Sequence, residues 1–465
     1  MKLKAWLDRA MGSSEGNSEG NLEGQSESLR RFLVKAMSGT VGLKILNVGL
    51  MYANSLLLVR LAGVGGYGEY SYIIAWVYIL LIPAALGLEG VINRELAVYS
   101  VRRRWADAKG LLGFSNQVVL LSSVLLAISA VAGCWLLGLA EDSQALLAFA
   151  IGIASLPLVA LSRLRVGALQ AVKSVVASQL PEAIVRPGIL FVCSGGLFAL
   201  QALGLSVGLG WLALGELPVP VVMVIDWVAT AIAFYVGSRL LRRKLSPDLH
   251  QSRPQYSRGL WLKAAMPMLL IGSMYVINGQ TDSVMLGILK DNESVGVYKV
   301  ANQGAGLISF VQVAFATALG PIFVAVFAAG DIVRLRKIVK QSCRATFALS
   351  AVMAVGLVLS SHWFLLMFGP EVLAGRTALF ILMGGQLVNA FTGATAQLLI
   401  MTGNDRDTAL GVSASAVVNV VLNAVLIPPY GINGAAIATA ISMVLWNVIL
   451  VGFTYKHFKV MSTAV

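Results

Sequence analysis

Charged side chains are scarce in this sequence. Asp, Glu, Lys and Arg make up 12% of its 465 residues, against about a quarter in ordinary soluble proteins. Hydrophobic residues make up 57% of the chain, and its mean hydropathy is +0.80. This composition excludes a large soluble domain and predicts a polytopic membrane protein.

The residues that build catalytic and metal centres are scarce as well. The chain has three cysteines; Cys134 and Cys193 lie in apolar runs, and no pair of cysteines has metal-ligand spacing. Its three histidines are scattered over loops and the ends of apolar segments, and no phosphate-binding glycine loop occurs. We therefore expect no enzyme activity, no bound metal and no cofactor.

Long hydrophobic runs, by contrast, are abundant. A helix needs about 20 apolar residues to cross a bilayer. Segments of this kind lie at approximately 41–61, 70–92, 112–137, 144–162, 177–199, 219–240, 264–289, 297–328, 345–368, 376–402, 408–428 and 432–455. We therefore predict an all-α membrane protein with about twelve transmembrane helices.

The net charge of +13 has two explanations, nucleic-acid binding and membrane topology. The basic residues lie in alternate short loops between apolar segments, as the positive-inside rule requires of cytoplasmic loops. We therefore predict cytoplasmic termini and no nucleic-acid partner. Loops on the other side carry mostly acids, with Arg60, Lys290, Lys299 and Arg376 as exceptions. The loops assigned to the cytoplasm include Arg102, Arg103, Arg104, Arg163, Arg165, Lys173, Arg242, Arg243, Lys244, Arg334 and Arg336.

The two halves of the chain carry similar elbows, Gly68-Glu69-Tyr70 and Gly296-Val297-Tyr298. Six helices per half is an even number, so both halves enter the membrane from the same side and are parallel repeats. We predict two six-helix lobes around a central cavity. The predicted parts are a largely disordered cytoplasmic tail at 1–38, an N-terminal lobe at 39–240, a cytoplasmic linker at 241–263, a C-terminal lobe at 264–456 and a cytoplasmic tail at 457–465.

Polar residues recur at helical spacing inside several apolar segments. Lys44, Asn47 and Asn54 share one face of the first segment, and Asn278 and Asp282 share one face of the seventh. Polar groups in a span usually face a bundle interior or a watery cavity. The alternative is hydrogen bonding between helices, worth about 0.6 kcal/mol per bond. The predicted polar and acidic cavity residues are Asn47, Asn54, Asp226, Asn278, Asp282, Gln386 and Asn389.

Charged residues within the apolar segments have a functional and a structural explanation. Lys44 and Arg60 either line the cavity or extend to the membrane interfaces. Arg186 either lines the cavity or pairs internally with Glu182, one turn away. Asp226 and Asp282 are further candidate partners for these cations. Near the cytoplasmic end of the second segment, the candidates for a gate, with a solvated helix end as the alternative, are Glu89 and Arg94.

Five short motifs follow one another along the chain: RLAGVGGYGEY at 60–70, GLEGVINREL at 87–96, WLKAAMPMLL at 261–270, TDSVMLGILKDNESVGVYKVA at 281–301 and ALGPIFVAVFAAGD at 318–331. In this order they resemble the polysaccharide repeat-unit flippases of the multidrug/oligosaccharidyl-lipid/polysaccharide (MOP) exporter superfamily. The resemblance covers about 39–456. It implies a MATE-like fold that moves a polyprenyl-pyrophosphate-linked oligosaccharide across the bacterial inner membrane by alternating access, for surface polysaccharides such as the O-antigen of lipopolysaccharide.

The resemblance also implies partners and roles. The pyrophosphate needs cations, for which Lys44, Arg60 and Arg186 are the candidates. A monomer is expected in contact with membrane lipids, a polysaccharide polymerase and glycosyltransferases, and coupling to a proton or sodium ion is left open, with Asp282 as its candidate site. Two alternatives remain: a cation-coupled multidrug exporter of the same superfamily, and a non-transporting polysaccharide-assembly component. The first helix offers Lys44 and no acid, which favours the flippase over the cation-coupled exporter.

Overall fold

The computed structural model describes residues 22–138, 142–203, 217–460 and 462–464. These residues form α-helices joined by short turns, and none of them is in a β-strand. The helices of the first half are α1 Leu22–Ala85, α2 Leu88–Val91, α3 Ala97–Val101, α4 Trp105–Leu136, α5 Ser143–Ile153, α6 Leu156–Ala171, α7 Val175–Leu180, α8 Arg186–Ala202 and α9 Val219–Lys244.

The helices of the second half follow a short connection. They are α10 Pro247–Gln251, α11 Arg258–Leu289, α12 Asn292–Ala328, α13 Ile332–Leu366, α14 Arg376–Thr392, α15 Thr395–Met401 and α16 Asp405–Phe458. Single π-helical turns at Ile92–Leu96 and Pro181–Val185 join α2 to α3 and α7 to α8, and a 3₁₀ turn at Pro370–Gly375 precedes α14. Side-chain caps by Asp142 and Asp331 satisfy backbone amides in the first turns of α5 and α13.

The first and last helices, α1 and α16, are hairpins. Each contains one glycine with a positive φ, Gly63 at 71° and Gly431 at 53°, a conformation that glycine adopts at little cost. The hydroxyls of Ser55 and Tyr67 lie 3.0 Å apart, whereas residues twelve apart in a straight helix are separated by about 18 Å. The chain therefore folds back at Gly63.

Among the described residues, nine helical segments are long and apolar enough to cross a membrane, or ten if the bent pair Asn292–Thr317 and Ile322–Ala328 forms one span. The chain is therefore a multi-pass membrane protein. Counting each of the two hairpins as two spans would raise the number of spans from ten to twelve. The number of spans stays a prediction.

The predicted tails and linker differ from the structure at their boundaries. Residues 1–21 lie outside the described residues, but α1 already begins at Leu22, inside the tail predicted to be disordered. Extending an existing helix adds one hydrogen bond per residue without a new nucleus, so the polar residues before the first span continue its helix. The predicted linker at 241–263 is shorter, because α9 extends to Lys244 and α11 begins at Arg258.

The C-terminal residues are not a free tail. The side chains of Val460 and Ser462 are buried at 5% and 0% exposure. The Thr395 hydroxyl donates to the Ser462 hydroxyl at 3.1 Å, and Arg344 donates through Nε to the Ala464 carbonyl at 3.2 Å. The segment therefore docks on α13 and α15.

The turns of the bundle lie at two ends. We call the end that holds the turns at 102–104, 172–174, 245–257, 329–331 and 402–404 the basic face, and the end that holds Gly63, Lys290, 367–375 and Gly431 the opposite face. At the basic face the Gln255 amide donates to the Ala106 carbonyl at 3.0 Å. At the opposite face Lys290 Nζ donates to the Pro428 carbonyl at 2.9 Å.

The buried apolar residues form four cores. The first half has a large core, which includes Trp261 and Ala265 of α11, and a small one; the second half has one, and a fourth joins the halves. The joining core contains Leu58 and Tyr67 of α1 together with Val297 and Ala301 of α12, all at most 5% exposed. Two helices dominate it because their elbows approach each other closely. A Cβ on Gly68 would lie 1.7 Å from the Asn292 carbonyl oxygen, and one on Gly296 would lie 2.3 Å from the Val64 carbonyl oxygen. The two elbows seen in the sequence therefore hold the lobes together at the opposite face.

Replacing Gly68 by Ala is expected to push the lobes apart at the opposite face. The added Cβ would meet backbone rather than a flexible side chain, so the two helices must separate by about 1 Å or more. The distance between spin labels attached at the exposed positions Leu137 and Glu371 can be measured by electron–electron double resonance. Gly68→Ala should lengthen this distance, while the control Gly65→Ala, with nothing within 4 Å of its Cβ, should not. An unchanged distribution in Gly68→Ala would contradict the elbow contact.

Candidate functional site

A cavity of about 860 Å³ lies between the two lobes. Its wall is built by α1, the α2 and α6 to α9 region of the first lobe, and α11 and α12 of the second lobe. It extends from Leu58 and Tyr67, which belong to the core that joins the lobes, to Gln170 and Gln179, which flank the basic-face turn at 172–174. The cavity thus reaches the basic face, whereas the elbows close the opposite face.

The stripe on α1 lies on the cavity wall, as expected for Lys44, Asn47 and Asn54. A local cause fixes its orientation. Pro187 has no N–H and cannot donate to the carbonyl four residues earlier, and Asn47 Nδ2 donates to that Ala183 carbonyl at 2.8 Å. Asn54 Nδ2 donates to the Pro187 carbonyl at 2.8 Å. Both amides therefore hold α1 against the bend between α7 and α8. Hydrogen bonding between helices, the alternative explanation for polar residues in a span, thus also describes Asn47 and Asn54.

Arg186 lines the cavity but is engaged by carboxylates. Its Nη2 and Nε donate to the two carboxylate oxygens of Asp226 at 2.8 and 3.2 Å, and its Nη1 lies 3.8 Å from Glu182 Oε2. Arg186 is 9% exposed and Asp226 is 2% exposed. Tyr70 adds a long hydrogen bond of 3.5 Å to Asp226. The internal ion pair considered from the sequence is therefore present, and a role for Arg186 in binding a ligand stays a prediction.

Arg60 lies away from the cavity, which corrects its prediction as a cavity cation and matches the alternative of a side chain near the end of the span. Its exposed side chain donates through Nη2 to the Met367 carbonyl at 2.8 Å, at the opposite face. The reason is the position of the turn: Arg60 is three residues from Gly63, so it lies at the end of its helix rather than within the span.

The two gate candidates, Glu89 and Arg94, lie in different surroundings. Glu89 lies on the cavity wall. Arg94 does not line the cavity; its side chain is 54% exposed and pairs with its neighbour Glu95 at 2.9 Å. Arg94 therefore matches the alternative of a solvated helix end.

Asn278 and Asp282 point into the second lobe and do not line the cavity between the lobes, which corrects their predicted position. Asn278 Nδ2 donates to the Val412 carbonyl at 3.2 Å, and the Ser415 hydroxyl donates to Asn278 Oδ1 at 3.2 Å. Asp282 is 4% exposed. Its carboxylate accepts from Tyr298 Oη at 2.6 Å, Thr439 Oγ1 at 2.6 Å, Asn423 Nδ2 at 2.7 Å and Asn419 Nδ2 at 3.3 Å.

Gln386 and Asn389 also lie inside the second lobe. Asn389 Nδ2 donates to Gln312 Oε1 at 2.6 Å, and Asn447 Nδ2 donates to Asn389 Oδ1 at 3.2 Å. Gln386 is 8% exposed and does not line the cavity either. The periodicity of a helix identifies a polar face but does not say which neighbour that face contacts. Here the polar faces of the second lobe contact one another.

Two basic residues on the cavity wall, Arg163 and Lys299, were expected in loops. Arg163 instead lies within α6, and Lys299 lies seven residues inside α12. For Lys299 the sequence did contain a signal, because a basic residue on the otherwise acidic side broke the loop pattern.

The model of the polysaccharide biosynthesis protein family matches residues 33–327, which is more than half of the chain. The chain belongs to the polysaccharide biosynthesis protein family. Residues 267–425 also match the MatE family model. The family resemblance noted in the sequence is thereby confirmed.

Individual relatives of this polysaccharide biosynthesis family member are more distant. The chain is 28% identical over 174 residues to "Probable flippase AglR" of Haloferax volcanii, and the match spans 37% of this chain and 36% of the relative. A multidrug resistance MATE family transporter of the MOP superfamily in an inward-facing conformation has a TM-score of 0.70 at 14% identity, over 89% of this chain and 94% of that one. Lipid II flippase MurJ in an inward closed conformation has a TM-score of 0.64 at 15% identity, over 90% and 87%.

At 14% and 15% sequence identity, the similarity to these solved structures is evidence for the fold alone. The all-α, MATE-like architecture predicted from the sequence is confirmed. Family and fold together identify a polysaccharide biosynthesis protein with the MATE-like membrane fold.

Proposed function

We propose that this protein is a flippase that moves a polyprenyl-diphosphate-linked oligosaccharide from the cytoplasmic to the outer leaflet of the bacterial inner membrane, for surface polysaccharide such as O-antigen. The observation that carries the proposal is the cavity between the lobes, which has Lys44 on its wall, reaches the basic face and ends below the packed elbows. Under the positive-inside rule the basic face is the cytoplasmic one. A ligand would therefore enter from the leaflet where such precursors are made.

The physical need for such a cavity is large. Each sugar hydroxyl moved bare into hydrocarbon costs about 4–8 kcal/mol on a cyclohexane scale. A wall that includes Asn47, Tyr70, Gln179 and Gln280 offers hydrogen-bonding groups in place of water. The polyprenyl chain is itself apolar and needs no such polar environment, so it stays in the surrounding lipid.

Movement would occur by alternating access between the two lobes. In the described state the lobes are joined at the opposite face, so release to the outer leaflet requires the elbow contact between Gly68 and Gly296 to separate. Outward movement of an anion is favoured by an inside-negative potential, by about 2.3 kcal/mol per charge per 100 mV.

Asp282 is the proposed site of ion coupling. Its four hydrogen-bond donors are neutral side chains, and among the described residues no basic group lies within 4.0 Å of its carboxylate. A buried carboxylate with no cation in direct contact is costly, so uptake of a proton or a sodium ion would stabilise it. Because the Asp282 side chain joins α11 to both α12 and α16, its charge state would bias the packing of the second lobe.

Deletion of the protein in its source organism tests the proposal. The lipid-linked precursor should accumulate in the inner leaflet and surface polysaccharide should be lost, with recovery when the wild-type chain is supplied. Supplying Lys44→Gln should fail to restore it. Normal surface polysaccharide in the deletion strain, without a compensating transporter, would contradict the proposal.

A second candidate is a cation-coupled multidrug exporter, and one observation favours it. Glu89 lies on the cavity wall beside the paired acids Glu182 and Asp226, so the first lobe does offer carboxylates. Efflux of a cationic dye from cells that express the protein, lost in Glu89→Gln and retained in Lys44→Gln, would favour the exporter. If instead surface polysaccharide is lost in Lys44→Gln and retained in Glu89→Gln, the result favours the flippase. It also excludes a non-transporting assembly component.

A further inference from the structure

A second cavity, of about 790 Å³, lies at the opposite face beside the elbows. We call it the opposite-face cavity. Most of its wall belongs to α1, α4, α5 and the start of α9 in the first lobe, and the second lobe contributes Gly287, Asp291 and Asn292. No described residue lines both this cavity and the cavity between the lobes. Its volume is typical of small-molecule sites, which occupy about 300–1,000 Å³.

The wall of the opposite-face cavity changes from polar to apolar with depth. Its lining residues on α1 extend from Gly66 to Leu80, about 20 Å along the helix axis. The part near the turns of the opposite face holds three acids, Glu69, Asp142 and Asp291. The part further from these turns holds three aromatic rings, Tyr72, Trp76 and Phe149. A ligand that matches this wall is amphipathic, with its polar end towards the opposite face.

The two cavities differ in charge. The described wall of the opposite-face cavity has no basic side chain, whereas the cavity between the lobes has four, Lys44, Arg163, Arg186 and Lys299. The nearest lysine in sequence is Lys290, and it points away, because its Nζ donates to the Pro428 carbonyl. The polar end of a matching ligand is therefore a cation.

Two of the acids have a carboxylate oxygen to offer. Asp142 and Asp291 each accept one backbone amide through Oδ1 at 2.7 Å, as caps of α5 and α12, and these caps do not use Oδ2. Within the described ranges no basic group lies within 4.0 Å of either carboxylate. Nor do the described acids, histidines and cysteines form a group of three that could hold a metal ion. The dispersed carboxylates thus suit a bulky organic cation better than a metal ion.

Tyr72 connects the opposite-face cavity to the elbow contact. A Cβ on Gly287 would lie 2.3 Å from Tyr72 Cδ2, so the ring packs directly against the backbone of α11. Asn292, whose carbonyl oxygen meets Gly68, lines the same cavity. When the elbows separate, Gly287, Asp291 and Asn292 move away from Tyr72. The cavity is therefore complete only while the elbows are in contact.

We propose that the opposite-face cavity binds an amphipathic organic cation and that the bound cation holds the elbows closed. The ammonium group lies among the carboxylates, and the apolar part lies against the aromatic rings, whose faces attract cations. A ligand that binds one of two states better shifts the population towards that state. Release of a substrate requires the elbows to separate, so the cation inhibits transport. This inhibition rests on the proposed function, whereas the binding does not.

Titration of the full chain with 4-phenylbutyltrimethylammonium, by calorimetry in phosphatidylcholine nanodiscs, tests the binding. The double variant Asp142→Asn/Asp291→Asn should bind about tenfold more weakly, since two carboxylates are neutralised while asparagine keeps both helix caps. The uncharged analogue, with a tert-butyl group in place of the trimethylammonium group, should bind the wild type at least about tenfold more weakly. The matched control is Asp331→Asn, a cap at the basic face, which should bind like the wild type.

The link to the elbows is tested by the same titration. Gly68→Ala should weaken binding about threefold or more, although Gly68 does not line the opposite-face cavity, because separated elbows remove part of the wall. Gly65→Ala should leave the affinity unchanged. Wild-type affinity in Gly68→Ala would overturn the link.

Other outcomes would overturn the site itself. Unchanged affinity in Asp142→Asn/Asp291→Asn, or equal affinity for the uncharged analogue, would do so. Binding that is lost in Glu89→Gln and retained in Asp142→Asn/Asp291→Asn would assign the probe to the cavity between the lobes and would likewise overturn the site.

Transport separates this inference from the proposed function. In vesicles with the probe on both sides, the wild type should flip the lipid-linked oligosaccharide at least about tenfold more slowly, and Asp142→Asn/Asp291→Asn should be slowed far less. Full-rate flipping by the wild type at saturating probe would overturn the inhibition and leave the flippase standing. A chain that binds the probe as predicted but flips nothing would support the site and overturn the proposed function.

Discussion

Asp282→Asn is expected to abolish ion-coupled transport while leaving the protein folded. Asparagine has nearly the shape of aspartate, and the hydroxyls of Tyr298 and Thr439 can accept as well as donate hydrogen bonds. The network can therefore rearrange around the neutral side chain. What is lost is the charge, which is the property that a proton or sodium ion would neutralise.

Transport driven by an imposed sodium or pH gradient measures this effect in proteoliposomes. The wild type should respond to one of the two gradients, and the one that drives it names the ion. In Asp282→Asn the gradient-driven rate should fall to the rate without a gradient. The matched control is Asp331→Asn, which changes a helix cap at the basic face to another good cap and should respond like the wild type. A full gradient response in Asp282→Asn would remove Asp282 from the coupling mechanism.

Breaking the Arg186–Asp226 ion pair from one side is expected to have the largest effect on stability. Both side chains are buried and joined by two hydrogen bonds. Removing Arg186 leaves Asp226 buried without its counterion, and removing Asp226 leaves Arg186 with only Glu182 at 3.8 Å. Breaking a buried pair in this way typically costs about 3–5 kcal/mol. Arg186→Met and Asp226→Leu should each lower the free energy of unfolding by about that amount. The double variant Arg186→Met/Asp226→Leu should recover most of the loss, since apolar residues of similar size replace the whole pair.

The free energy of unfolding can be measured by titration with sodium dodecyl sulfate. Arg94→Met is the control: it breaks an exposed pair with Glu95, and such pairs contribute about 0–1 kcal/mol. If the double variant is as unstable as the single ones, the pair is not the source of the loss. The double variant also tests the role of Arg186 as a ligand cation. If it is stable and still transports, Arg186 serves packing alone.

The parts of this molecule that sequence could predict are those set by local composition and periodicity. Apolar runs and charged loops identify membrane helices, because a span must satisfy its own backbone and exclude charge. The stripe of Lys44, Asn47 and Asn54 was predictable because it lies on one face of one helix. The similar elbows around Gly68 and Gly296 were visible as a repeat.

The parts that sequence could not predict depend on which elements meet. Asn278 and Asp282 share a polar face, but only the fold shows that this face meets α16 rather than the cavity. The choice between the cavity and the interface for Arg60 depends on its distance from the turn, which the backbone at Gly63 fixes. The mutual contact of the elbows arises from the packing of the two lobes, and the choice of Asp226 rather than Asp282 as the partner of Arg186 arises from packing within the first lobe.

Flipping by the purified protein shows directly whether the chain moves a lipid-linked oligosaccharide. Vesicles reconstituted with the chain and a fluorescent polyprenyl-diphosphate oligosaccharide are treated with an enzyme that modifies the sugar and cannot cross the membrane. With the wild type and with Lys290→Gln, the protected inner-leaflet fraction should become accessible during the assay, and with Lys44→Gln it should do so at least about tenfold more slowly. A wild-type protein that exposes the sugar no faster than protein-free vesicles would contradict the account.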